Sequence, residues 1–149
     1  MRSPRLALLV ALLSFGCGPK EDNLDLLSTR PVTLPDGSQI RAEVMIKPDE
    51  VARGMMFRDA LPRGRGLLFI HTKPAAYRYW MFNVKVPLDI VFMDTTRRIV
   101  EISANTPPCT SEPSACPLYG GHYYEQYVLE LGAGEAQRLG LQKGQALTF

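Results

Sequence analysis

The sequence predicts a mainly β protein: a compact antiparallel β-sandwich or barrel with one or two short helices. Three observations carry that expectation. Apolar and polar residues alternate with period two in many short runs, turn-forming Pro, Gly and Asp residues separate the runs, and little of the chain has helical periodicity. At 149 residues the chain is sized for one domain. Its 46% hydrophobic and 21% charged residues are ordinary for a folded globular protein and disfavour disorder or a membrane-spanning bundle.

The amino terminus reads as an address. Residues 1–16 have the form of a signal peptide, with Arg2 and Arg5 at the positive end and an apolar run over 6–13 that is too short to span a bilayer. The run ends in Leu13-Ser14-Phe15-Gly16-Cys17, which resembles a bacterial lipoprotein box. Gly16 and Cys17 fit that pattern; Ser14 stands where leucine is usual, and Phe15 is larger than the residues typical of its position. Acylation of Cys17 is therefore expected, with ordinary signal-peptidase cleavage nearby as the alternative. One acyl chain holds a protein only marginally, so several on one cysteine would fix it to a membrane surface. Gly18 in place of the aspartate that often retains such lipoproteins at the inner membrane points to the outer one. The expected location is the periplasmic side of a bacterial membrane, with residues 17–30 as lipidated cysteine and tether and 31–149 as the folded domain.

Arg2 and Arg5 account for the formal charge of +2, and the remainder carries 15 basic and 15 acidic residues. A neutral domain with no basic stripe lacks the phosphate-neutralising attraction that dominates nucleic-acid affinity, so no nucleic-acid partner is expected. Cys109 and Cys116 form a natural pair in an oxidising compartment. Closing so short a loop stabilises by about 2.5 kcal/mol in the chain-entropy model. A zinc site or redox dithiol is the weaker alternative, because the spacing is not CxxC and only His71 and His122 remain to complete a ligand set.

In chain order, residues 32–34 and 39–46 read as a hairpin about the Pro35-Asp36-Gly37 turn, with Ile40, Ala42, Val44 and Ile46 alternating against Arg41, Glu43 and Met45. Pro48, followed by Asp49 and Glu50 and closed by Gly54, predicts a helix of about two turns. A loop follows, kept irregular by Pro62, Gly64 and Gly66, then a buried strand over 67–70. Strands are expected over 78–83 and 88–94 about a turn at 84–87. Period two puts Leu88, Ile90 and Phe92 on one face, and Asp89, Val91 and Met93 on the other. Further strands are expected over 97–103, 126–131 and 146–149, a stapled loop over 105–122, and a helical turn over 134–139.

Five segments in this order, Gly54-Met55-Met56-Phe57-Arg58, Gly66-Leu67-Leu68-Phe69, Trp80-Met81 through Pro87-Leu88-Asp89-Ile90-Val91-Phe92, Cys116-Pro117-Leu118-Tyr119 and Tyr127-Val128-Leu129-Glu130-Leu131 with Gly132 and Gly134, resemble the DUF192 family. The resemblance spans about 32–149. It implies a compact jelly-roll-like β fold and no established activity. Phe82 departs from the pattern, standing where lysine is common after the Trp-Met pair.

The residues offer no catalytic signature. No G-x-S-x-G elbow is present, and Arg63-Gly64-Arg65-Gly66 matches neither the P-loop nor the dinucleotide-binding spacing. His71 and His122 lack metal-ligand spacing, so neither metal nor cofactor is expected. Met55 and Met56 could line a soft binding lip, with core packing the first expectation. Trp80 and Phe82 are expected in the core, with an aromatic platform for a sugar or peptide as the alternative; for Tyr79, Tyr119, Tyr123, Tyr124 and Tyr127 the two readings stand even. Asp89 and Glu130 sit in apolar strands, where burial raises a carboxyl pKa. Their structural reading is that one caps loop N–H groups and the other pairs with Arg58 or Arg53; their chemical reading is glycan cleavage across a shared cleft. The leading expectation is a non-enzymatic, lipid-tethered module binding an unknown envelope ligand or protein at Arg58, Trp80, Asn83, Asp89 and Glu130. A carboxylate-dependent enzyme acting on cell-wall glycan is the alternative.

Overall fold

The structure is a computed structural model that describes residues 29–149. The expected signal peptide, Cys17 and the tether up to residue 28 lie outside the described residues. Thr29 is already in a strand, two residues before the expected start of the domain at Pro31.

The domain is mainly β, as expected. Its strands are β1 (Thr29–Thr33), β2 (Gln39–Met45), β3 (Arg65–Ala75), β4 (Arg78–Trp80), β5 (Leu88–Met93), β6 (Ile99–Thr106), β7 (Leu118–Gly120) and β8 (Glu125–Gly132). Two short helices, α1 (Pro48–Arg53) and α2 (Glu135–Arg138), complete it. A six-stranded sheet has the order β1-β2-β3-β8-β5-β6, and β4 pairs with β7 as a separate ribbon. The sheet does not close into a barrel; the ribbon lies over one face as in a sandwich, with Tyr79 edge-on to Phe69 and Phe92.

The local predictions explain the elements. In the β1–β2 turn, Asp36 Oδ1 accepts hydrogen bonds from the Ser38 N–H and hydroxyl, and Gly37 supplies a φ of 83°. Pro48 opens α1 where its missing N–H costs nothing, and Gly54 ends it at φ 43°. The pairing of β2 with β3 is parallel, which corrects the expectation of antiparallel pairing throughout. The physical reason is the intervening helix: α1 is a crossover that returns the chain to its starting end, and parallel neighbours need one.

The region expected to be only loop over 105–122 contains β7, which pairs with β4, and a turn of 3-10 helix at Pro113–Ala115. The expected disulfide joins Cys109 to Cys116. The closing strand expected over 146–149 is instead two isolated bridges, Arg98 to Ala146 and Thr33 to Thr148.

The sheet buries both faces in its middle. Val91, Met93, Leu129 and Leu131 pack on one side with Ala136, Leu141 and Leu147. Leu67, Phe69, Leu88, Ile90, Phe92 and Val128 pack on the other with Met55, Met81 and Tyr79. The period-two assignment of β5 holds residue for residue.

Candidate functional site

Position on the sheet separates the two carboxylates singled out by the sequence. Asp89 lies opposite Leu131 and Glu130 opposite Ile90, so they point to opposite faces. They share no cleft, which removes the two-carboxylate mechanism for glycan cleavage.

Asp89 is fully buried and satisfied. Its Oδ1 accepts the Asn105 N–H at 2.7 Å, where β6 bulges away from β5. Its Oδ2 accepts the Ala136 N–H at 2.8 Å, in the first turn of α2, whose N-cap Gly134 has no side chain to do so. This is the expected capping role. The bulge leaves one backbone donor unpaired, the helix start leaves another, and a single carboxylate serves both.

Glu130 is different. Its side chain enters the face covered by α1 and the ribbon, at 5% exposure, and Oε2 has no hydrogen-bond partner. The expected ion pair with Arg58 does not form, because Arg58 binds Glu43 through two hydrogen bonds of 2.6 and 2.8 Å. Burial pushes the Glu130 carboxyl up to about 8, and the nearby Arg58 charge offsets only part of that. At neutral pH Glu130 is mostly the neutral acid.

Around it is a cavity of about 350 Å³ lined by Met55, Phe69, His71, Tyr79 and Trp80 among others, with Gly54 closing one side. A Cβ on Gly54 would lie 3.1 Å from Phe69 Cζ and 3.8 Å from Glu130 Oε2, so only glycine brings the helix end this close. His71 Nε2 and Tyr79 Oη are 3.0 Å apart and share a hydrogen bond, and the His71 ring stacks on Tyr77 at 3.5 Å. Burial lowers the His71 pKa. Burial also raises that of Tyr79, assisted by the carboxylates of Glu130 and Glu125. All three inner polar groups are therefore uncharged near neutrality.

Of the five residues expected in one site, only Trp80 and Glu130 line this cavity. Trp80 is 38% exposed, correcting its expected place in the core: its β4 neighbour Tyr79 turns inward, so Trp80 turns outward. Phe82, also expected in the core, is half-buried against Trp80. Met55 is buried as expected and also forms cavity wall. Asn83 works through its backbone, its carbonyl accepting the Phe57 N–H at 2.9 Å, while Met56 bridges to Val84. Phe57 and Asn83 both adopt positive φ, 66° and 58°, at this junction. The cavity also takes in three residues outside the expected set of five: Arg53, expected only as a partner for a buried carboxylate, Tyr79, expected only in an aromatic platform, and His71, considered only as a metal ligand. For His71 the signal was present: alternation along β3 puts it on the face of Leu67 and Phe69, and Leu67 is the partner of Glu130. No cluster of three or more His, Cys, Asp or Glu suited to a metal occurs among the described residues.

Residues 32–149 match DUF192, described as an uncharacterized ACR. The chain is similar to a protein of unknown function from Novosphingobium aromaticivorans DSM 12444, with 30% identity over 86% of this chain and 90% of that one and a TM-score of 0.76. It is also similar to a protein from Sinorhizobium meliloti 1021 whose suggested role is transcription regulation, with 28% identity over 79% and 89% and a TM-score of 0.70. No curated protein matches it.

The two carboxylates should respond oppositely to isosteric replacement in thermal melts. Asp89→Asn leaves one backbone donor facing an amide N–H₂ and should cost about 2 kcal/mol, lowering Tm by roughly 10 °C. For Glu130 the folded-state pKa lies above the unfolded one, so the folded protein holds the extra proton and stability is lost as pH rises from about 4.5 towards 8. Glu130→Gln escapes that loss, so its Tm should match wild type near pH 4.5 and exceed it by a margin that grows up to about pH 8.

Proposed function

We propose that this chain, which belongs to the DUF192 family, is a non-enzymatic binding module of the bacterial envelope that takes a small ligand in the cavity beside Gly54. The observation that carries the reading is the Glu130 carboxyl, buried in the cavity wall with Oε2 unpartnered. A buried polar atom without a partner costs about 1–3 kcal/mol, and a ligand that supplies the missing hydrogen bond recovers it. The cavity falls within the usual range of about 300–1,000 Å³ for small-molecule sites, and apolar walls with a few convergent polar groups are their usual make-up.

Binding is favoured over catalysis by the lining. No serine, threonine, cysteine or lysine is among the lining residues, and the one carboxyl there, Glu130, is held mostly in its protonated, non-nucleophilic form. The suggested regulatory role of the Sinorhizobium relative is not carried over, because equal numbers of acidic and basic residues after residue 16 leave no net charge for a nucleic acid. The leader and Cys17 support an exported, lipid-anchored protein on the periplasmic side, with Gly18 favouring the outer membrane.

Methyl-labelled methionine reads the cavity directly in a fragment screen by NMR. Binding should shift Met55 and Met56 saturably while leaving Met93, on the opposite face, unmoved. A screen in which no fragment moves Met55 or Met56 would remove the reading. Metabolic labelling with a fatty acid should mark the wild-type chain and not Cys17→Ser; label on neither would refute the anchor.

A further inference from the structure

We propose that the ligand is a small organic acid, its carboxylate held at the cavity mouth by Arg53 and Arg78 and its apolar body lying between Met55, Phe69 and Trp80 toward Glu130. This rests on the binding reading above and adds the ligand's charge and polarity. The mouth and the interior of the cavity carry different charge, and that difference selects the class.

The mouth is cationic. Arg53 ends α1 and Arg78 begins β4; both are exposed and both line the cavity. Neither guanidinium has a hydrogen bond or ion pair among the described residues, whereas Arg58 is engaged with Glu43, and Arg63 and Arg138 with Glu135. The Arg78 stem packs where a side chain on Gly121 would go, which holds the base of this group in place. Two unpaired guanidinium groups offer fork-shaped donors suited to a carboxylate.

The interior is uncharged and apolar. The titratable groups packed around Glu130 bear on this: His71 from β3, Tyr77 just before β4, Tyr79 of β4, Arg58 from the loop after α1, Glu43 of β2, which neutralises Arg58, and, beyond Tyr79, Glu125 of β8, whose carboxyl burial pushes up. With Glu130 mostly protonated, Arg53 and Arg78 are the charged side chains left in the cavity lining. An organic cation would have to pass both and then displace a proton from Glu130. An anion meets the opposite field, and its body meets Met55, Met56, Phe69, Val84 and the Trp80 ring. The neutral Glu130 carboxyl can both donate and accept a hydrogen bond, which suits a hydroxyl or keto oxygen at the far end of such an acid.

A matched trio of probes separates the possibilities on the full chain: phenylpropionate, phenylpropionamide and phenylpropylamine, each titrated near neutral pH and followed at the Met55 and Met56 methyls. The acid should bind more tightly than the amine by about tenfold or more, with the amide between them. Arg53→Gln combined with Arg78→Gln, both at exposed positions, should abolish the preference for acid over amide, bringing the two probes to the same affinity. Raising the pH through about 8 ionises Glu130, so the acid should weaken several-fold while the amine gains. An amine that binds as tightly as the acid near neutrality, or an acid preference that survives the double substitution, overturns the assignment of charge but leaves the cavity as a binding site. Failure of all three probes to move Met55 and Met56 overturns this inference and counts against the binding reading with it.

Discussion

The middle of this sheet is buried on both faces, and every polar group placed there has to be satisfied or neutral. All six residues of β5 are buried, and β8 is buried from Val128 to Leu131. A carboxylate in such a strand has two physical outcomes. Asp89 meets two backbone donors, one from a bulge and one from a helix start, and becomes part of the frame. Glu130 meets none and keeps its proton near neutrality. Adjacent strands, with the same pressure on both, thus yield one carboxylate that caps backbone donors and one left without a partner.

The cavity around Glu130 is made by backbone strain and close approach. Gly54 ends α1 against the Phe69 ring, and the chain then turns through Phe57, 63% exposed and at positive φ, to pair with the segment around Asn83. A non-glycine residue in the left-handed region costs about 1–2 kcal/mol. The Phe57 N–H to Asn83 carbonyl bond and the Met56 to Val84 bridge offset part of that. Gly120 does the corresponding service for the ribbon, since a Cβ there would lie 2.4 Å from the Phe92 ring. Gly54, Phe69, Trp80 and Glu130, from four of the segments that resemble the family pattern, therefore meet at one cavity.

Much of the frame was legible because it is local. The Pro35-Asp36-Gly37 turn, the Pro48 to Gly54 helix and the two faces of β5 follow from rules that act within a few residues. The parallel β2–β3 pairing was legible in principle, since a helix between two strands is a crossover, but the turn-rich composition of the rest pointed to antiparallel neighbours. Pairings between distant segments were not legible: β7 belongs with β4 only because the disulfide loop folds back, and the chain end contributes bridges rather than a strand. The site followed the same division. Glu130 stood out as a charge in an apolar strand, whereas the diversion of Arg58 to Glu43 depends on the register between β2 and β3. Trp80 was expected inside because tryptophan is large and apolar; the inward place is taken by Tyr79.

The measurement that bears most directly on this account is the titration of the Glu130 side-chain carboxyl, followed by carbon NMR in the folded protein without ligand. The midpoint is expected near 8, with the carboxyl still mostly protonated at neutral pH. A midpoint near the ordinary glutamate value of about 4.3 would mean that the carboxylate has a partner or water of its own, and the cavity would lose the feature that marks it as a site.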